Sequence, residues 1–148
     1  MALDTYSNLK TTIANYLNRS DLTAYLGDFI TLTEARLNRE LRVREMVNTD
    51  TSTTTVAGTQ SYSLPTGYLE ATTIIFQSDP YCTLKFINNS DFYNKYNASQ
   101  SRGKPTYFTI VGTNILLGVA PNSATTLQIN YYKSITALSD SNATIDIL

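Results

Sequence analysis

The sequence predicts an α+β protein, with an N-terminal antiparallel helix pair followed by a small antiparallel β-sandwich or open barrel that carries one short helix. Three observations predict it. Apolar residues recur at helical spacing as far as residue 46. The composition then shifts to Thr and Ser, with alternating apolar and polar positions. Gly, Pro and Asn clusters cut the remainder into short pieces. Helices first and strands after is the α+β order. The 148 residues suffice for one domain, or for a helical portion (1–46) and a β-rich portion (47–148) in one structural unit.

Residues 5–17 form the first expected helix. Tyr6, Leu9, Ile13, Tyr16 and Leu17 share a face, and Asp4 or Thr5 supplies the cap. The stretch from Ser20 to Met46 reads as one long second helix, capped by Ser20 and started by Asp21 at the positive end of its dipole. Leu22, Tyr25, Leu26, Phe29, Ile30, Leu37 and Leu41 lie on one side. Its second half is charged: Glu34, Arg36, Arg39, Glu40, Arg42, Arg44 and Glu45, with Glu40 and Arg44 spaced for an ion pair. The short joint between the helices predicts an antiparallel pair. The Arg-rich end is either a solvated helix end or a docking surface, since Arg makes planar two-pronged contacts with carboxylates and phosphates.

Residues 48–56 and 60–64 read as a hairpin turning at Ala57-Gly58-Thr59. The strand at 68–77 is the strongest, with Tyr68, Ile74 and Phe76 on one face and Leu69, Ala71 and Ile75 on the other. A short strand at 83–87 precedes a short helix at 91–96 capped by Ser90, and residues 97–105 are a polar loop. Strands at 106–111 and 115–119 join through Gly112-Thr113-Asn114. In 125–133, Leu127, Ile129 and Tyr131 alternate with Gln128, Asn130 and Tyr132. Residues 134–148 are a polar exit.

Composition excludes several kinds of chemistry. The net charge of −1 gives the whole chain no pull on nucleic acid or anionic lipid. With no histidine there is no Ser–His or Cys–His nucleophile and no usual base near neutral pH. Cys82 has no basic neighbour in sequence and reads as structural; alone, it forms no internal disulfide and anchors no metal cluster. No Asp or Glu pair sits in a hydrolase motif, and Gly103-Lys104 lacks the other parts of a phosphate loop. So no catalytic residue, cofactor site or metal site is expected. Glu34, Glu40 and Glu45 interleave with the arginines and argue against a DNA groove. There is no secretory signal and no apolar run of transmembrane length, which predicts a soluble protein made in a reducing cytoplasm. Only 16% of residues are charged, and eleven are Tyr; that surface suits burial against other proteins as well as an ordinary β domain.

The runs LNRSDLTAYLGDFITLTEARLNRELRVREM, SYSLPTGYLEAT and GKPTYFTIVGTNILLGVAPNSATTLQINYYKSITALSD, in this order, resemble the head-to-tail adaptor (connector) proteins of tailed bacteriophages along nearly the whole chain. The most specific parts are TEARLNRELRVREM, Ser63-Leu64-Pro65, Gly103-Lys104-Pro105 and Tyr131-Tyr132-Lys133. The resemblance implies a structural protein of the virion neck, assembled in the host cytoplasm as a ring of about twelve copies. Its partners would be further copies of itself, the portal protein, and a tail or nozzle protein. Double-stranded DNA would pass through the channel as cargo, and no membrane is involved. The resemblance makes Arg36, Arg39, Arg42 and Arg44 candidates for the portal or the next subunit. It makes Tyr62, Leu64, Tyr68, Arg102, Lys104 and Tyr132 candidates for the neighbouring subunit and the tail. It also implies more helix beyond Leu138-Ser139-Asp140, so a sequence ending at Leu148 is expected to be C-terminally short. A β-rich binding module of a phage tail or receptor-binding component is the second reading, and a small cell-wall hydrolase the third.

Overall fold

A computed structural model describes residues 5–19, 21–96 and 102–141. The described residues up to Met46, together with those from Ser134 onward, form one compact unit; Val47–Lys133 form the other. The first is helical and the second is built on strands, so the α+β class holds.

In the helical unit, α1 (Tyr6–Leu17) starts as expected from Thr5, whose hydroxyl accepts from the Asn8 N–H at 3.2 Å. It stops at Asn18, in the left-handed conformation that Asn tolerates (φ 49°). The expected cap at Ser20 lies outside the described residues. Asp21 does not start a helix; Arg19 Nε donates to it at 3.0 Å and lowers its pKa. A single tight turn, Thr23–Tyr25, then leads into α2 (Leu26–Glu40), whose first turn carries Asp28 instead.

The long helix to Met46 is not continuous. Leu41 is extended (φ −86°, ψ 132°), and a second tight turn covers Arg44–Met46. The cause is local: Arg42 turns back and donates from Nη1 to the carbonyls of Asn38 (3.0 Å) and Leu41 (2.7 Å), groups that a helix end leaves open. The expected Glu40–Arg44 pair is therefore replaced by Arg36 with Glu40, 3.1 Å apart and exposed. Leu26 and Ile30 are buried. The segment from Ser134 lies along α2, with the Ile135 N–H on Asn38 Oδ1 and the Leu138 N–H on Glu34 Oε1, both at 2.8 Å.

In the strand unit, seven strands form one curled mixed sheet rather than the two sheets of a sandwich. They are β1 (Val47–Asp50), β2 (Ser61–Ser63), β3 (Tyr68–Phe76), β4 (Cys82–Phe86), β5 (Tyr107–Val111), β6 (Asn114–Leu117) and β7 (Leu127–Lys133), in the order β1-β7-β3-β4-β5-β6-β2. The expected hairpin of 48–56 with 60–64 does not form. β1 pairs with β7 and β2 with β6, so the two occupy opposite edges. Nor is the sheet wholly antiparallel: β4 and β5 run parallel, because α3 (Asn89–Lys95) lies between them in the chain. The cap of α3 is Asn88, whose side chain accepts from the Asp91 N–H at 2.8 Å, not Ser90.

The core follows the alternation of β7. Leu127, Ile129 and Tyr131 meet Ile74, Phe76, Leu84, Phe108, Ile115, Leu117 and Tyr62 on one face. The register between β3 and β7 slips twice, between Tyr68 and Glu70 and between Ala71 and Thr73. Each slip adds a residue to β3 and reverses the alternation. Ala71 therefore packs on the same core as Tyr68 and Ile74, not on the face opposite. The hairpin of β5 and β6 forms, with a tighter turn than expected: Asn114 joins β6 and pairs with Val111 across Gly112-Thr113, Gly112 takes φ 61°, and β6 ends at Leu117 rather than at 119.

Candidate assembly surface

The structure spreads the ten candidate residues over both units. On α2, the side chains of Arg36 and Arg39 stand in solvent, Arg36 beside Glu40. Arg44 is exposed on the turn after the helix, while Arg42 is half-buried and engaged with the end of α2. The four arginines thus do not form one helical row.

In the strand unit, Tyr62 is buried. Its hydroxyl accepts from the Val56 N–H (3.0 Å) and reaches the carbonyls of Thr59 (2.7 Å) and Val56 (3.2 Å). Its ring belongs to the chain's own core, and burial raises its pKa. Leu64 and Tyr68 are half-buried against that core, and Tyr68 stacks on Tyr131 with centroids 5.7 Å apart. Burial, and then the nearby Glu70 carboxylate, raise the Tyr68 pKa; burial and Asp50 do the same for Tyr131. Tyr132 is half-buried on the other face of β7. Arg102 is exposed, with its guanidinium lying over Gly58, where a Cβ would sit 3.0 Å from Nη2. The Lys104 ammonium donates to the Pro80 carbonyl.

Two further surfaces escaped the sequence reading. Asn48, Asp50, Ser52 and Thr53 on the β1 side face Ser63, Leu64 and Thr66 on the β2 side across an open groove floored by Tyr131 and Lys133. The curl of the sheet, which brings its two edges toward one another, makes this groove. The second is the outer face of α2. Tyr25 (56% exposed), on the turn that leads into α2, and Phe29 (49%) and Leu32 (67%), on the helix that buries Leu26 and Ile30, present about half or more of their surface to solvent. The spacing of three and four between them was legible, but periodicity alone cannot tell which of two apolar faces the fold will cover.

Cys82 is half-buried with Sγ 3.6 Å from the Pro105 carbonyl, and no group of His, Cys, Asp and Glu among the described residues could hold a metal ion. No helix among them is long and apolar enough to cross a membrane. Among the described residues the chain thus presents an apolar and basic face on α2 and a largely polar groove between the edges of the sheet. The chain belongs to the SU10 adaptor protein family, whose model matches residues 4–148. This is a family of phage head-to-tail adaptors, structural proteins rather than enzymes, and it places the chain among proteins of the virion neck. A comparison with curated proteins gives no match.

Proposed function

We propose that this protein joins the portal to the tail of a phage as a closed ring of identical copies, leaving a channel through which double-stranded DNA passes. The observation that carries the reading is the outer face of α2. Phe29, Leu32 and the cations Arg36 and Arg39 share one exposed side of a helix that buries Leu26 and Ile30 on another, with the exposed Tyr25 on the turn before it. Such a face is stable in water only at a cost, and burial against a partner removes that cost. Membership of the adaptor family supplies the kind of partner: other phage head and tail proteins.

In this reading α2 lies in the ring wall, and Arg36, Arg39 and Arg44 meet the portal or the next subunit. Arg42 acts indirectly, by ending α2 where Arg44 can turn outward. Tyr132, Leu64, Tyr68, Arg102 and Lys104 lie toward the neighbouring subunit and the tail. Tyr62, buried in the core, holds the turn at 56–59 rather than touching a partner. Electron microscopy of the protein mixed with portal particles tests the reading. Closed rings seated on portals are expected, and a protein that never attaches overturns it. The Arg36→Glu, Arg39→Glu double variant should keep its fold and lose attachment; unimpaired attachment removes α2 from the contact.

A further inference from the structure

We infer that, in the free protein, a second copy of this chain docks antiparallel on the outer face of α2, centred on Leu32. At about 100° per residue, Asp28, Phe29, Arg36 and Arg39 fall within about 60° of the line through Leu32, and Tyr25 precedes them on the tight turn that leads into α2. Leu26 and Ile30, the buried residues, lie on the far side. All six residues of the stripe are exposed.

The stripe is complementary to itself in one orientation only. Its N-terminal half carries two aromatic rings and the carboxylate of Asp28; its C-terminal half carries two guanidinium groups. When two copies cross antiparallel at Leu32, positions equidistant from that residue come level. Arg39 of one copy then comes level with Tyr25 of the other, and Arg36 with Asp28; by side of the stripe, Arg39 lies with Asp28, less than one turn away, and Arg36 lays its stem over Phe29. Ala35, small and exposed, leaves room for the Phe29 ring. Each end combines an ion pair with a cation over an aromatic face. A parallel pairing would set Arg against Arg and Asp against Asp, which repel. Leu32, 67% exposed, sits on the two-fold axis and packs against its own copy.

The contact is one helix face, smaller than the roughly 1,200 Å² of a specific stable interface, so dimers should appear at concentrations on the order of 0.1 mM. The biological consequence rests on the adaptor reading: a paired stripe is closed to the portal and to a ring neighbour, so the dimer is a storage form that must open before assembly.

Cysteine cross-linking of the full chain tests the pairing. In a Cys82→Ser background, Leu32→Cys treated with oxidised glutathione should give a covalent dimer. Thr31→Cys, also exposed but about 100° off the stripe, should give far less; equal yields overturn the proposal. Sedimentation provides the second arm. Asp28→Arg and Arg39→Asp should each weaken dimerisation at least about tenfold, and the two together should restore it. A wild-type protein that stays monomeric at about 1 mM, or that passes directly to larger rings without a dimer, also overturns it. Portal attachment is scored separately on uncross-linked wild type, so loss of the dimer and loss of the adaptor role give different results.

Discussion

Replacing Tyr62 by Phe removes one oxygen and leaves the ring in the core. That oxygen accepts from the Val56 N–H at 3.0 Å and has two carbonyls to choose from, Thr59 at 2.7 Å and Val56 at 3.2 Å. Its single proton serves one carbonyl at a time, so two hydrogen bonds are lost, each worth about 0.5–1.5 kcal/mol net. Val56 and Thr59 are exposed, so water satisfies the released backbone groups and the larger penalty of a buried orphan does not apply. The expected loss is about 1–2 kcal/mol. With a urea m-value of about 2 kcal/mol/M, the unfolding midpoint should fall by about 0.5–1 M. Tyr81→Phe, at a site 74% exposed, should leave the midpoint unchanged. A Tyr62→Phe shift no larger than that of the control would mean that the hydroxyl does not tie the 56–59 turn to the core. A loss above about 3 kcal/mol would mean that the ring had moved as well.

Gly118→Ala would set a Cβ 2.8 Å from the Tyr96 ring, so it should cost about 1–3 kcal/mol, and Tyr96→Ala in the same chain should remove most of that increment in a double-mutant cycle. Thr55→Val leaves the Thr125 N–H without its 3.0 Å acceptor at a fully buried site; thermal unfolding should show a loss of about 1–3 kcal/mol, against about 0.5 or less for the exposed Thr51→Val. Asn38→Ala removes the acceptor of the Ile135 N–H, so hydrogen exchange at Ile135 should accelerate while β7 amides keep their protection. Tyr62, Tyr68 and Tyr131 all have folded-state pKa values raised, chiefly by burial. The folded chain therefore holds these protons longer than the unfolded one. The associated stability is fully present below the unfolded tyrosine pKa, near 10, and is lost as pH rises through the higher folded values. Urea midpoints should thus fall above about pH 10, and less steeply in Tyr131→Phe.

The parts of the fold carried by local physics could be read from the residues. Thr5 caps α1, β7 alternates cleanly, and Gly112 makes the 5–6 turn, because a cap, a pleat or a left-handed glycine needs only its neighbours. The parts set by the direction one long side chain takes, or by distant contacts, could not. Nothing between Glu40 and Arg42 is a Gly or Pro, so the end of α2 depends on where the Arg42 side chain goes. Asn48 and Tyr131 pair across more than half the chain, and Thr-rich composition specifies extended backbone without naming its neighbour. The reversal at Ala71 came from register slips that leave no residue signature in a run of Thr and Ile. For the candidate surface, the apolar and basic residues of α2 were visible at once. Which of them would stay uncovered was decided by Leu26 and Ile30 taking the inside.

Val47 stands opposite Tyr132 at the first rung of the β1–β7 ladder, so the strand unit begins and finishes side by side. Its two ends are about 5 Å apart, the spacing of neighbouring strands. The helical unit is consequently interrupted in sequence without being separated in space at that junction. Joining Met46 to Ser134 through a few glycines should therefore span the gap that the strand unit leaves without rerouting the flanking chain.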